Sequence, residues 1–344
     1  MNSDWSHSKL VVLLPLLAVV VLYASYLSVR NSFFVCDGNS WCTESIPLNV
    51  WKVLKFNAEP APSTTSATDL ALRDNKLREA TALKYGGRMT WYFLVMVYSF
   101  VCIAALAVAF ITIFKLSPQR RVLWTCVSFV ICFLVALILY KKPEIHMKIF
   151  LAIFEKSPTE KTIPTDVPAI AGLTNFLDSV GNAAAFAVLL ASCATLWPAH
   201  ERSLPEGLRQ LSQRMKYLRT ILYSGTLLLV VTILLKSSIY QWSLAFTSRE
   251  DAAVKTASAF VSSLLSVEGG FYTLVLVAVY LPAAVILQRR ANHLEGLPAD
   301  EAARKKVLQE NGMTFSFSES LPRILAILAP VLTGPIGDLL KRGG

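Results

Sequence analysis

Charge is what this sequence has least of. Only 16% of its 344 residues are Asp, Glu, Lys or Arg, against roughly 25% in soluble domains. The shortfall is concentrated in a few long uncharged runs, as expected where lipid replaces water as the solvent. Motifs that carry chemistry are missing too. There is no GxSxG, no Walker A loop, no GxGxxG and no HExxH. The four histidines, His7, His146, His200 and His293, have no Glu or Cys at ligand spacing, so no metal is expected. The six cysteines include no CxxC pair. No paired carboxylates fall on one predicted helix face in a dry setting. Together these absences predict a protein that is not an enzyme and needs no cofactor.

Two further absences narrow the class. The net charge is +10, yet no RNP-like motif, zinc-finger spacing or basic stripe interleaved with aromatics accompanies it, so nucleic acid is not an expected partner. A basic excess in an apolar chain ordinarily marks loops beside anionic lipid. No internal repeat is evident, which weighs against an inverted-repeat transporter.

What is present is hydrophobic length. Trp91–Phe114 is 24 residues without a charge, Val122–Tyr140 is 19 more, and a basic seven-residue turn, 115–121, joins them. About 20 apolar residues span a hydrocarbon core as a helix, so this stretch predicts a transmembrane hairpin. Trp91, Tyr92, Trp124 and Tyr140 sit near its ends, where aromatic rings favour the headgroup region. Further spans are predicted at Leu10–Val29, Pro168–Trp197, Thr220–Phe246 and Phe271–Leu287. The first is longer than a signal-peptide core, and Tyr23 fits poorly before a cleavage site at Ser25, so an uncleaved signal anchor is expected. In the fourth, Val180–Trp197 is rich in Gly and Ala, which let helix backbones approach closely. In the fifth, Lys236 lies near one end, where it can snorkel to the headgroups.

The connecting regions carry weaker signals. Asp69–Tyr85 has an apolar helical face, Leu70, Ala71, Leu77, Ala80 and Leu83, and Gly86-Gly87 reads as its stop. Thr247–Gly270 reads as an amphipathic stretch ended by Gly269-Gly270, and His146–Phe154 as a short interfacial piece. Pro198–Arg219 reads as a polar, basic loop. Leu321–Leu340 is broken by Arg323, Pro330, Gly334, Pro335 and Asp338; its uncharged core suits an interfacial or re-entrant segment. The expected architecture is all-α: an integral membrane bundle of about six transmembrane helices with interfacial amphipathic helices. Its parts are a signal-anchor helix (1–29), an exported hydrophilic segment (30–89), a five-helix bundle (90–287) and a cytoplasmic tail (288–344).

Six spans place both termini on one side. Basic residues divide almost evenly between the sides, but the short 115–121 turn carries three and no acid, and short connections weigh most. Both termini are therefore expected in the cytoplasm, with the protein in the cell membrane. Cys36 and Cys42, with five residues between them including Asp37-Gly38, would then face an oxidising compartment and close a small disulfide turn. Cys102, Cys126, Cys132 and Cys193 fall within spans and are expected to stay reduced.

Function is less legible. The bilayer is the one partner the composition demands; self-association or membrane partner proteins are expected besides. One reading is an oligomeric channel-like or pore-forming effector. A second is a non-conducting sensor or scaffold that binds partners, and a third is a transporter. A candidate polar pathway comes from Asn175, Asp178 and Asn182, whose spacing puts them on one helical face, with Ser192 close to that face further on. Asp178 either lines an aqueous vestibule or sits in wet headgroups before a helix beginning at Val180.

Two outcomes test these expectations. A reporter active only in the cytoplasm should be active after Gly344 and silent near Ser63; the reverse pattern inverts every side assignment. Mapping without reductant should find Cys36 bonded to Cys42; two alkylatable thiols there would remove the support this pair lends to an outer location.

Overall fold

A computed structural model of the chain describes residues 67–116, 121–140, 167–197, 204–244, 251–294, 296–313 and 322–333. Among them all regular structure is helical: α1 (Ala67–Leu116), α2 (Arg121–Tyr140), α3 (Val167–Thr195), α4 (Leu204–Leu244), α5 (Asp251–Asn292), α6 (Glu301–Glu310) and α7 (Pro322–Thr333). Four stretches are long and apolar enough to cross a membrane: Gly86–Leu116, Gly172–Thr195, Leu204–Tyr240 and Val261–Asn292. Within α2, Leu123–Leu134 is a shorter apolar stretch, and α7 is another. The expected first span, Leu10–Val29, and the Cys36–Cys42 pair lie outside the described residues.

The apolar stretches of the long helices carry hydrophobic residues on inner and outer faces alike, and burial distinguishes the two. Along α1, Trp91, Tyr98, Cys102, Ala105, Ala109 and Ile113 are buried, while Phe93, Met96, Phe100 and Ile103 are exposed. An apolar outer surface of this kind is what a lipid-facing helix presents. The inner faces use small residues. On α3, Ala183, Ala187 and Ala191 repeat every four residues and pack with Ala109 and Ile113 of α1 and Cys132 of α2. With little side chain between them, backbones come close enough for dispersion to hold the bundle. The principal packing pairs are α1 with α4 and α3, α4 with α5, and α2 with α3. No disulfide links Cys102, Cys126, Cys132 and Cys193; three are buried in the packing and Cys126 is exposed.

Several boundaries differ from the sequence expectation, for one physical reason. Gly86-Gly87 does not stop a helix, because α1 runs through it for 50 residues, about 75 Å at 1.5 Å per residue. Gly87 is instead a point of close approach: a Cβ there would sit 3.0 Å from Cδ1 of Trp242 on α4. Trp242 stacks on Trp91 with centroids 5.7 Å apart. Gly269-Gly270 likewise lies inside α5, so Thr247–Gly270 and Phe271–Leu287 are not separate elements. α4 starts at Leu204, so most of the expected 198–219 loop is helix. α3 starts at Val167 rather than Val180, which places Asp178 inside a helix rather than before one.

One end of the bundle is closed by arginine side chains on carbonyls. The last carbonyls of a helix lack intrahelical donors, and those of α3 receive side chains from two neighbours. Arg214 of α4, itself buried, donates to the Thr195 carbonyl at 3.2 Å and also to that of Trp197. Arg290 of α5 donates to the Leu196 carbonyl at 2.7 Å. A cation there also suits the negative end of the helix dipole. α6, whose Asp300 N-cap accepts from the amides of Ala302 and Ala303, docks on α4. Ser212 donates to the Asn311 carbonyl at 2.8 Å and Arg219 to that of Gly312 at 2.6 Å. Gly312 takes φ +67°, the left-handed conformation a helix C-terminus favours in glycine.

α7 runs along α5. Ile327 shares a buried cluster with Leu276, Tyr280, Ala283 and Ala284, and Arg323 lies beside Tyr280. At the other end, a Cβ on Gly269 would be 2.5 Å from the Pro330 carbonyl oxygen. Gly269→Ala should therefore push the two helices apart and cost about 1–3 kcal/mol. Gly270, next in line, has nothing within 4 Å of its Cβ position, so Gly270→Ala should be neutral or stabilising through helix propensity. Thermal unfolding of both variants checks this; equal midpoints would remove the α5–α7 contact from the account.

Candidate functional site

The uncharged stretch of each of three long helices is interrupted by a single charged residue. Asp178 is the only Asp, Glu, Lys or Arg between Asp166 and Glu201, Lys236 the only one between Arg219 and Arg249, and Glu268 the only one between Lys255 and Arg289. The fold brings the three together. Lys236 Nζ lies 3.3 Å from Oε2 and 3.4 Å from Oε1 of Glu268, and donates to the Tyr272 hydroxyl at 3.5 Å. Both members are buried, at 7% exposure for Lys236 and 4% for Glu268. Oε2, the nearer oxygen in the ion pair, has no hydrogen bond among the described residues. Lys236 therefore does not snorkel to the headgroups. Its ammonium turns inward because α5 offers a carboxylate at the same level.

Lys236 also faces a cavity of about 80 Å³. Asp178, Gly181, Asn182 and Ala185 of α3 form one wall; Leu228, Leu229, Thr232 and Lys236 of α4 form another; Tyr98 of α1 and Tyr272 of α5 complete it. The spacing explains the walls. Residues four and seven apart on α3, and four and eight apart on α4, share a helical face. Tyr98 occupies the room left by Gly181, where a Cβ would collide with its hydroxyl. Tyr98 is in electrostatic reach of Asp178. Thr232 donates to the Leu228 carbonyl at 2.7 Å, and its hydroxyl is also hydrogen-bonded to Tyr98. A polar space of this size holds a few waters, since one needs about 10–15 Å³ by the same measure.

Of the residues singled out by spacing, Asp178 and Asn182 line this cavity. Asn175 and Ser192 do not. Asn175 is half-buried one turn away and its carbonyl accepts from Ser179. Ser192 is fully buried and donates to the Val188 carbonyl of its own helix. Lys236, Glu268 and the two tyrosines were not foreseen as a site. The available signal was the lone charge per apolar helix, since an ionisable residue inside a membrane usually faces a polar interior and a partner. Among the described residues no group of three or more His, Cys, Asp or Glu is placed to hold a metal. No protein-family model, curated protein or solved structure significantly matches the chain.

The cavity walls predict a pattern of chemical access. In a background lacking the native cysteines, Asn182→Cys and Thr232→Cys should react with a small polar thiol reagent in intact membranes. Phe100→Cys, on the apolar outer face, should not. Equal inertness at all three positions would mean that the cavity is dry.

Proposed function

We propose that this chain is a non-enzymatic, multi-pass membrane protein of six spans that moves a small ion through the polar site between α1, α3, α4 and α5, as a channel-like protein does. The observation that carries this reading is the buried Lys236–Glu268 pair beside a cavity that the half-buried Asp178 also lines. Isolated charges cost about 2.5–3.5 kcal/mol each at mid-bilayer on insertion scales, and a buried ion pair seldom stabilises more than apolar packing would. A bundle held by packing alone has no need of them. An aqueous path through the bilayer does, because backbone and side-chain polarity at membrane depth is tolerated where it lines water. Self-association completes the proposal, with the apolar outer faces of α1 and α2 meeting lipid or a second copy.

Asp178 is the residue assigned to ion preference, as acidic lining groups are in cation pores. In liposomes or planar bilayers, purified protein should pass small cations in preference to anions. Asp178→Asn keeps the size and removes the charge, and should lower that preference while expression persists. A parent protein that folds in membranes and passes no ion would favour the non-conducting sensor or scaffold instead.

A further inference from the structure

Glu268 does not line the cavity. It stands behind Lys236, which faces the cavity on one side and on the other holds its ammonium 3.3 Å from Oε2 and 3.4 Å from Oε1 of Glu268. Whatever passes from the cavity to Glu268 at this contact passes through the ammonium. A metal ion cannot do so, and a proton can. We infer that the ion moved at this site is the proton, and that Lys236 relays it between Asp178, reached through cavity water, and Glu268. The inference rests on reading the cavity as the protein's polar path. It adds the identity of the ion and the residue that hands it on.

The step balances with the groups present. It begins with Asp178 as the acid, Lys236 as ammonium and Glu268 as carboxylate. One N–H bond of Lys236 Nζ breaks and its proton forms an O–H bond on Glu268 Oε1, the oxygen that already accepts from it. A cavity water returns a proton to Nζ, and the Asp178 acid restores that water. Asp178 ends as carboxylate, Glu268 as acid and Lys236 as ammonium again. One proton has moved from α3 to α5 with the total charge unchanged. Titratable side chains in series carry protons in membrane pumps and transporters, and a lysine exchanges its proton more readily when buried. The surroundings supply such groups from every packed helix: Tyr98 and Cys102 of α1, Asp178 of α3, and Glu268 and Tyr272 of α5, whose hydroxyl lies 3.5 Å from Nζ. They suit a metal ion less well. Potassium filters replace an ion's water with rings of carbonyls, whereas these walls offer one carboxylate, one amide, three hydroxyls and a fixed ammonium that repels a second cation.

Arginine separates a relay from a fixed charge. It keeps the positive charge that pairs with Glu268, but it does not give up a proton in proteins. Full-length protein in liposomes that trap a pH-sensitive dye is given a pH gradient, and parallel liposomes read Na⁺ and K⁺ uptake. Wild type should pass protons and neither metal ion. Lys236→Arg, shown to be folded by thermal unfolding, should lose proton flux to the level of protein-free liposomes. If that variant does not fold, Glu268→Gln decides in its place, because it removes the acceptor and should abolish the flux. A folded Lys236→Arg that passes protons at the wild-type rate would overturn the relay and leave Lys236 a structural charge. Na⁺ or K⁺ flux that survives Lys236→Arg would overturn the proton assignment and leave the polar-path reading standing. Absence of all flux in the folded parent would sink that reading, and infrared spectra of the same protein then decide the relay. A carbonyl band of buried carboxylic acid that Asp178→Asn and Glu268→Gln each diminish would uphold a proton shared between the two. A band untouched by Glu268→Gln would overturn it.

Discussion

The ion pair between Lys236 and Glu268 is the constraint around which the interior is arranged. An ammonium and a carboxylate at this burial are stable only together. Removing either leaves a bare charge in an apolar bundle, at a cost of about 3–5 kcal/mol. The pair therefore fixes the register of α4 against α5. α4 in turn sets the levels of Thr232 and Leu228 opposite Asp178 and Asn182 of α3. Tyr98, seated against Gly181, ties α1 to the same level. Four helices thus meet at one polar layer, while above and below it they pack through alanines and leucines.

Close approach is the second organising theme, and glycine supplies it where two elements touch. Gly87 admits Trp242, Gly181 admits Tyr98, and Gly269 admits the Pro330 carbonyl. The last contact brings the end of α7 beside the residue that follows Glu268. Pro330 has no N–H and so removes the helical donor for the Ala326 carbonyl. Broken helices with freed carbonyls are tolerated at membrane depth where they lie against protein or water, and here α5 provides the cover. At the arginine-rich end the same problem is solved differently: Arg214 and Arg290 supply donors to the final carbonyls of α3.

Much of this was legible in the sequence, and the parts that were not share a cause. Uncharged length marked the helices of α1 and α2 and the apolar parts of α3, α4 and α5, because that property belongs to each segment alone. The pairing of Asp178 with Asn182 on one face followed from their spacing. Ser192 shares that angular position but stands 14 residues on, about 21 Å along the axis, so a common face did not make a common site. The glycine pairs were misread as stops. Locally, Gly-Gly weakens a helix by about 1 kcal/mol per residue; only the partner surface shows that it is needed for contact. Lys236 looked like a headgroup residue for the same reason, since nothing in α4 by itself reveals a carboxylate waiting on α5. The arginines of the 198–219 segment were counted as loop charges, yet Arg214 is committed to capping a helix.

The central claim is that Lys236 and Glu268 act as one unit inside the bundle, and a double-mutant cycle tests it most directly. Lys236→Met, Glu268→Gln and the double variant are compared by unfolding in N-methyl-D-glucamine chloride, so that no small cation substitutes for the ammonium. The account predicts that each single change destabilises the protein and that the double costs much less than their sum, with a coupling of about 1–3 kcal/mol. Additive effects, within about 0.5 kcal/mol, would mean that the two charges do not depend on each other, and would contradict the account.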